Sequence, residues 1–388
     1  MISTPHGVIN TPAFVPVATK ATVKAVLPEA VGQLAAQAVL ANAYHLYLQP
    51  GADLVDAAGG LAKFMNWPGP TFSDSGGFQV MSLGVGFKKV LAMQTDAVTA
   101  DDVIAPGKQR LAHVDDDGVS FVSHIDGSRH RFTPESSMAV QHQLGADIMF
   151  AFDECTTLLN TRGYQEDSVA RTAAWARRCV RAHEELTEQR AHRPYQALFG
   201  VVQGAQHEDL RRDAARDLAS LDLDGFGIGG ALEKDRLGQI VSWVSEELPE
   251  DKPRHLLGIG EPDDLFAGVA AGADTFDCVM PTRVARNGAA LSADGRFNIR
   301  TAANRRSFEP LDSECACYTC AHYTRAYLHH LLSSAEMVAH ALTSIHNLHF
   351  LVALVDRMRV ALADGDFEAL RAETLGRYFA RRRAASTP

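Results

Sequence analysis

Eight short apolar runs recur along the chain. They are "AFVPV" (13–17), "QAVLANAY" (37–44), "PTFSDS" (70–75), "ADIMFAFDE" (146–154), "QALFGVVQG" (196–204), "GFGIGG" (225–230), "RHLLGIG" (254–260) and "ADTFDCVM" (273–280). Near-continuous apolarity over so few residues is the pattern of strands buried on both faces of a parallel sheet. Between the later runs, polar and apolar residues alternate at helical spacing. That spacing predicts helices near 133–145, 164–190, 206–220, 236–248 and 261–271. The first is punctuated at both ends, with Thr133 as N-cap, Pro134 in the first turn and Gly145 as the stop. Strands alternating with helices predict a parallel sheet covered by helices. Eight of them predict a (β/α)8 barrel, with a doubly wound open sheet as the alternative.

Two segments fall outside a minimal barrel. Residues 84–117 read as a mixed, partly helical insertion. It precedes an alternating run, "GVSFVSHIDGSRHRF", whose Asp126-Gly127 pair reads as a hairpin turn. Residues 300–350 carry a cysteine cluster and then a helical pattern. No internal repeat and no low-complexity stretch is present.

The strand ends carry polar or glycine residues. The fourth run leads to Asp153, the fifth to Gln203, the sixth to Gly229 and Gly230, and the eighth to Asp277. In a (β/α)8 barrel these ends converge on one pocket. One such residue is ordinarily a cap or turn residue, but a repeated pattern points to a site. Asp277 stands among Phe276, Cys278, Val279 and Met280, and a buried carboxylate is costly unless it is paired, hydrogen-bonded or used. "FSDSGGFQV" adds Asp74, followed by Ser75 and two glycines that let backbone approach a ligand. Phe78 offers a ring for stacking on a flat base. Two carboxylates at a barrel mouth are the equipment of glycosidic chemistry, one as nucleophile and one as acid/base. Asp153 and Gln203 add an acceptor and an amide, suited to the hydrogen-bonding edge of a heterocycle.

Composition refines this picture. The 388 residues are 46% hydrophobic and 22% charged, ordinary for a globular protein. No apolar run stands out as membrane-spanning, and the first residues lack a basic and apolar leader pattern, so a cytoplasmic protein is expected. The net charge of -10 argues against nucleic acid by itself. Its distribution does not. From Arg283 to Arg306 six arginines (283, 286, 296, 300, 305, 306) face one acid, Asp294, in an otherwise acidic chain. Such a segment is either a solvated basic face or an anion site.

"CACYTC" places Cys315, Cys317 and Cys320 within six residues. In a reducing compartment this is a structural zinc clip rather than a disulfide framework. Tetrahedral zinc requires a fourth ligand. His329, His330, His340, His346 and His349 all follow on a helical segment, and spacing alone does not choose among them.

Taken together, "SDSGGFQV", "HIDGSRHRFTPE", "FDECT", "VVQG", "GIGG", "FDCVMPTRVARNG" and "CACYTC" with a downstream "HN" resemble the tRNA-guanine transglycosylase (queuine tRNA-ribosyltransferase) family. The matches run in family order from about residue 11 to about residue 350. The resemblance implies a (β/α)8 barrel over 1–299, a zinc-binding subdomain over 300–350 and a helical segment over 351–388 that packs back on the barrel. It implies exchange of the wobble guanine of G-U-N anticodon tRNAs (Asp, Asn, His, Tyr) for a 7-deazaguanine base, preQ1, in queuosine biosynthesis. It matches Asp277 to the nucleophile and Asp74 to the general acid/base. Ser75, Phe78, Asp153, Gln203, Gly229 and Gly230 match substrate-binding positions, Arg283 and Arg286 fall where RNA is held, and Cys315, Cys317, Cys320 and His346 match the zinc ligands. A homodimer is implied as well.

The sequence departs from the family in three places. A strand expected ahead of "TPHG" is missing, the 84–117 segment is longer than usual, and "GGALEK" stands where bacterial members carry "GGLAVGE". Cys155 in "FDECT" is the bacterial-type residue and favours preQ1 over queuine. The alternatives are a queuine-salvaging enzyme and a non-catalytic tRNA-binding accessory subunit. A metal-dependent barrel hydrolase would require histidines at the strand ends, and these carry none.

Overall fold

The computed structural model of the protein describes residues 1–79, 112–230 and 232–380. The chain opens with a hairpin of β1 (Ile2–Thr4) and β2 (Gly7–Ile9). Eight parallel strands follow, interrupted once. They are β3 (Ala13–Pro16), β4 (Val39–Asn42) and β5 (Thr71–Asp74), then, after a separate antiparallel sheet of β6 (Ala112–Asp115), β7 (Gly118–Val122) and β8 (Arg129–Phe132), the strands β9 (Ile148–Phe150), β10 (Ala197–Val202), β11 (Gly225–Ile228), β12 (Arg254–Leu256) and β13 (Thr275–Cys278). The sheet order is β3-β13-β12-β11-β10-β9-β5-β4. A parallel bridge between Val17 and Leu40, with Ala18 N donating to Leu40 O at 2.7 Å, brings the two ends together and closes the barrel.

All eight apolar runs contain a barrel strand, and each strand is shorter than its run. The residues beyond the last rung, such as 151–154 and 203–204, leave the sheet and turn toward the mouth. The helices fall where the spacing places them, at Pro134–Leu144, Arg162–Gln189, Glu208–Ala219, Leu237–Ser245 and Pro262–Ala270. Thr133 caps the first by accepting from Ser136 N, and Gly145 ends it at φ 66°.

The N-terminal expectation is corrected. A strand does stand ahead of "TPHG" as β1, and its partner β2 carries fully buried Ile9 into the barrel floor. The insertion is corrected in part. Residues 112–115 form β6, paired with β7, because His113 and Val114 continue the alternation of "GVSFV" across a tight turn at Asp116 and Asp117. Residues 84–111 lie outside the described residues. Asp126-Gly127 does turn the β7–β8 hairpin, with Gly127 at φ 76°.

Two apolar layers hold the barrel. Inside lie Ile9, Ala13, Val15, Leu40, Phe72, Ile148, Phe150, Phe199 and Val201. Outside, the opposite strand faces meet the helices, as Phe226, Leu256 and Phe276 do. The eighth helical position is filled by Val338–Asp364, which packs on β3 and on Met280–Arg286. By length and composition this helix could cross a membrane, contrary to the sequence reading. Its apolarity has another cause, since Leu348, Leu351, Val352, Val355 and Met358 are buried in the outer layer. A smaller core, of Ala290, Ile299, Leu311, Leu328, Leu331 and Leu332 from the region between β13 and this helix, is completed by Ala339 and Leu342 of the helix's first turns.

Truncating the floor plug tests this packing. Ile9→Ala leaves a cavity that is expected to lower stability by about 2–5 kcal/mol. The urea midpoint of the variant should fall accordingly, and an unchanged midpoint would remove Ile9 from the core.

Candidate active site and metal clip

Side chains of a strand alternate between its two faces. Counting by two from the inward residues therefore leads to the mouth. Leu40 leads to Asn42, Phe72 to Asp74, Val201 to Gln203, and Thr275 to Asp277. Asp153 breaks this parity. The chain leaves β9 at Phe150, and Phe152 turns outward to stack on Trp175 with ring centroids 4.9 Å apart.

Asp277 is 8% exposed. Its Oδ1 accepts from His255 Nε2 at 3.1 Å and from Gly258 N at 2.9 Å. Among the described residues Oδ2 accepts no hydrogen bond. His255 is fully buried, packs against the rings of Phe72 and Phe150 with centroids 5.4 and 5.2 Å away, and bonds Thr275 Oγ1 through Nδ1 at 2.8 Å. Thr275 donating to Nδ1 leaves Nε2–H as the donor to Asp277.

Asp74 accepts from Ala43 N at 2.9 Å and Gly76 N at 3.2 Å, and from Asn42 Nδ2. Burial, together with the nearby charge of Asp277, pushes its pKa up to about 7 despite these donors. Asp153 is joined to one candidate of the base site beyond each neighbouring strand. Ser75 Oγ donates to its Oδ1 at 2.9 Å and Gln203 Nε2 to its Oδ2 at 2.7 Å. Burial raises its pKa to about 6. Gln203 Oε1 is buried without a protein partner among the described residues, an acceptor facing Gly230. A Cβ on Gly230, at φ 85°, would sit 2.5 Å from that oxygen, so only glycine leaves it open. Gly229 carries the backbone beside it, and its carbonyl accepts from Arg211 Nη1 at 2.8 Å. Phe78 is half-buried on the short helical turn 77–79 that begins at the second of the two glycines.

Arg283 and Arg286 lie on Met280–Arg286, directly after β13. Lys20 and Lys24 stand on the loop after β3, and the pKa of Lys24 is lowered first by burial and then by the nearby charges of Arg286 and Lys20. None of the four makes an ion pair among the described residues. The basic segment of the sequence is therefore divided. Arg296 pairs with Glu261 at 3.4 Å and Arg300 binds Leu332 O at 2.6 Å, whereas Arg283 and Arg286 join lysines from another loop.

Sequence reading missed Asn42, His255, Arg211 and these lysines. Strand parity carried a signal for the first two, because each occupies an inward position of an apolar run. Arg211, fully buried and held by Val202 O, Ala205 O and Gly229 O, gave none.

None of the six cysteines is in a disulfide. Cys315, Cys317, Cys320 and His346 bring four donor atoms within 4.8 Å of one another. His346 Nδ1 lies 3.5, 3.6 and 3.2 Å from the three sulfurs. A tetrahedral zinc ion with bonds of about 2.3 Å to sulfur and about 2.0 Å to nitrogen requires sulfur–nitrogen separations of about 3.5 Å, so the donors fit it. His346 Nε2 bonds Leu291 O at 2.6 Å, which fixes the ring. The next residue, Asn347, accepts from Leu291 N at 2.9 Å and donates to Pro281 O and Ala289 O at 3.1 and 3.0 Å. The clip is thereby joined to the helix that carries Arg283 and Arg286.

Fold and mouth define a class: a (β/α)8 barrel with buried carboxylates at the C-terminal ends of its strands and a Cys3His clip joined to the helix that follows the last barrel strand. The chain belongs to the queuine tRNA-ribosyltransferase family, whose model it matches over residues 1–380. It is similar to the queuine tRNA-ribosyltransferase of Moorella thermoacetica, 47% identical over 380 residues that cover 97% of this chain and 93% of that protein. The protein of that name from Desulforudis audaxviator is 46% identical, covering 96% and 93%. That from Symbiobacterium thermophilum is also 46% identical, covering 98% and 88%.

Metal analysis checks the clip. Purified protein is expected to carry one equivalent of zinc per chain, and His346→Ala or Cys317→Ser to lose it. Full zinc content in Cys317→Ser would exclude this site.

Proposed function

We propose that the protein is a tRNA-guanine transglycosylase that exchanges the wobble guanine of G-U-N anticodon tRNAs for preQ1 through a covalent Asp277–RNA intermediate. The observation that carries this reading is the state of Asp277. One oxygen is held by two donors, the other is open at the mouth, and a second carboxyl, Asp74, stands close enough to feel its charge.

The target base leaves the anticodon stack to reach the mouth, and Lys20, Lys24, Arg283 and Arg286 hold the phosphates around it. Phe78 stacks on the base. Asp153, Gln203 and the Gly229–Gly230 backbone bind its polar edge, and the open Oε1 of Gln203 takes a donor from it. Oδ2 of Asp277 attacks the anomeric carbon as the bond to guanine N9 breaks, and its charge stabilises the oxocarbenium-like transition state. Asp74, protonated near neutral pH, gives its proton to the departing N9. Its carboxylate then takes the N9 proton of the incoming base, which attacks the same carbon and releases Asp277. Protons balance over the cycle, and neither ATP nor a redox cofactor enters. Zinc, when bound, supplies structure rather than chemistry, because three thiolates and one imidazole fill its shell. A cytoplasmic homodimer belongs to the same reading.

Two outcomes test it. Asp277→Asn is expected to lower incorporation of radiolabelled guanine and preQ1 by about 10³-fold or more while tRNA binding persists. Binding without exchange in the unaltered protein would instead favour an accessory subunit, and better use of queuine than of preQ1 a salvage enzyme. The pH profiles should run in opposite directions. Asp74 is protonated below about pH 7, so kcat/KM for tRNA falls as pH rises through about 7. Esterified Asp277 no longer raises the pKa of Asp74, so kcat/KM for the incoming base falls as pH drops, with a midpoint below 7. A tRNA limb that rises through pH 7 would contradict the role of Asp74.

A further inference from the structure

His349 lies one helical turn after His346 on Val338–Asp364, and its Nδ1 is 3.4 Å from Cys315 Sγ. The two histidines are not equivalent. His346 Nδ1 lies within 3.6 Å of all three sulfurs, whereas His349 reaches Cys315 alone. Three sulfurs and His346 complete a tetrahedral shell, which leaves His349 outside it.

The three sulfurs also differ in how firmly they are held. Cys317 is buried, caps the helix Tyr318–His322 and accepts from Cys320 N at 3.4 Å. Cys320 lies within that helix. Cys315 stands ahead of it and is half-buried, so its sulfur is less restrained by helix geometry. Three thiolates around a divalent ion carry a net charge of -1, and a donor to one sulfur spreads that charge and fixes the side chain. We propose that His349 is a positioning residue of the clip. Its Nδ1–H donates to the Cys315 thiolate and slows loss of the metal.

The inference rests on the zinc reading of the clip, and the test separates the two. Zinc release to a chromophoric chelator is followed in the unaltered protein, His349→Ala and His349→Asn, with a thiol-alkylating reagent present and the first cysteine modified identified by mass spectrometry. Asparagine places its amide nitrogen near the position of Nδ1 and keeps the donor. His349→Ala is expected to release zinc about 10–100-fold faster, a typical effect of losing a partner of a metal ligand. Cys315 should be alkylated first, and His349→Asn should stay close to the unaltered protein. Release from His349→Ala at the unaltered rate would overturn the proposal, as would His349→Asn failing as fast as alanine. Tight retention of zinc by His346→Ala would also overturn it, by making His349 a ligand. A protein that carries no zinc at all removes the metal reading itself.

Discussion

The mouth of the barrel depends on the two hydrogen bonds that reach one oxygen of Asp277. A carboxylate among Phe276, Cys278 and Met280 would be expelled or neutralised without donors, since burying an unpaired charge costs several kcal/mol. His255 and Gly258 provide them from the neighbouring strand and its loop. His255 can do so because Thr275 holds its other nitrogen and two phenylalanine rings pack against it. A chain of contacts therefore runs up the barrel interior from apolar floor to polar mouth. Because both donors take the same oxygen, the second oxygen is left without a donor among the described residues.

Placement of the remaining groups follows from the same closed sheet. Inward rows end at Asn42, Asp74, Gln203 and Asp277, so side chains distant in sequence meet at one rim. Burial is the main cause that raises the pKa of Asp74 to about 7 there, and the nearby charge of Asp277 adds to it. The metal clip is linked to this rim through adjacent residues of one helix. His346 faces the sulfurs, while Asn347 binds the backbone on either side of Arg283 and Arg286. On the function proposed here, a clip that performs no chemistry still sets where the phosphates are held.

Much of this was legible in the sequence, and what was not has physical causes. Barrel strands are continuous apolar runs, and helices with a capping Thr133 or a terminal Gly145 announce their ends. Asp74, Asp277 and the three cysteines stand out because charge and thiol clusters are conspicuous in such surroundings. β6 was hidden because its residues are half polar and none of them is fully buried, so they carry no clear alternation of their own. His255 was hidden because a lone histidine in an apolar run usually reads as core, and only the register with β13 shows what it faces. Lys20 and Lys24 lie far in sequence from the arginines they join, so the charge count of one segment could not find them.

The central claim is that Asp277 is the atom donor to the anomeric carbon. The most direct test is to trap the denaturant-stable adduct between the protein and unmodified G-U-N tRNA, digest both and map the modified residue by mass spectrometry. The account predicts a ribose ester on Asp277 within the 273–286 segment. An adduct mapped to Asp74, or exchange that proceeds with no adduct at all, would contradict it.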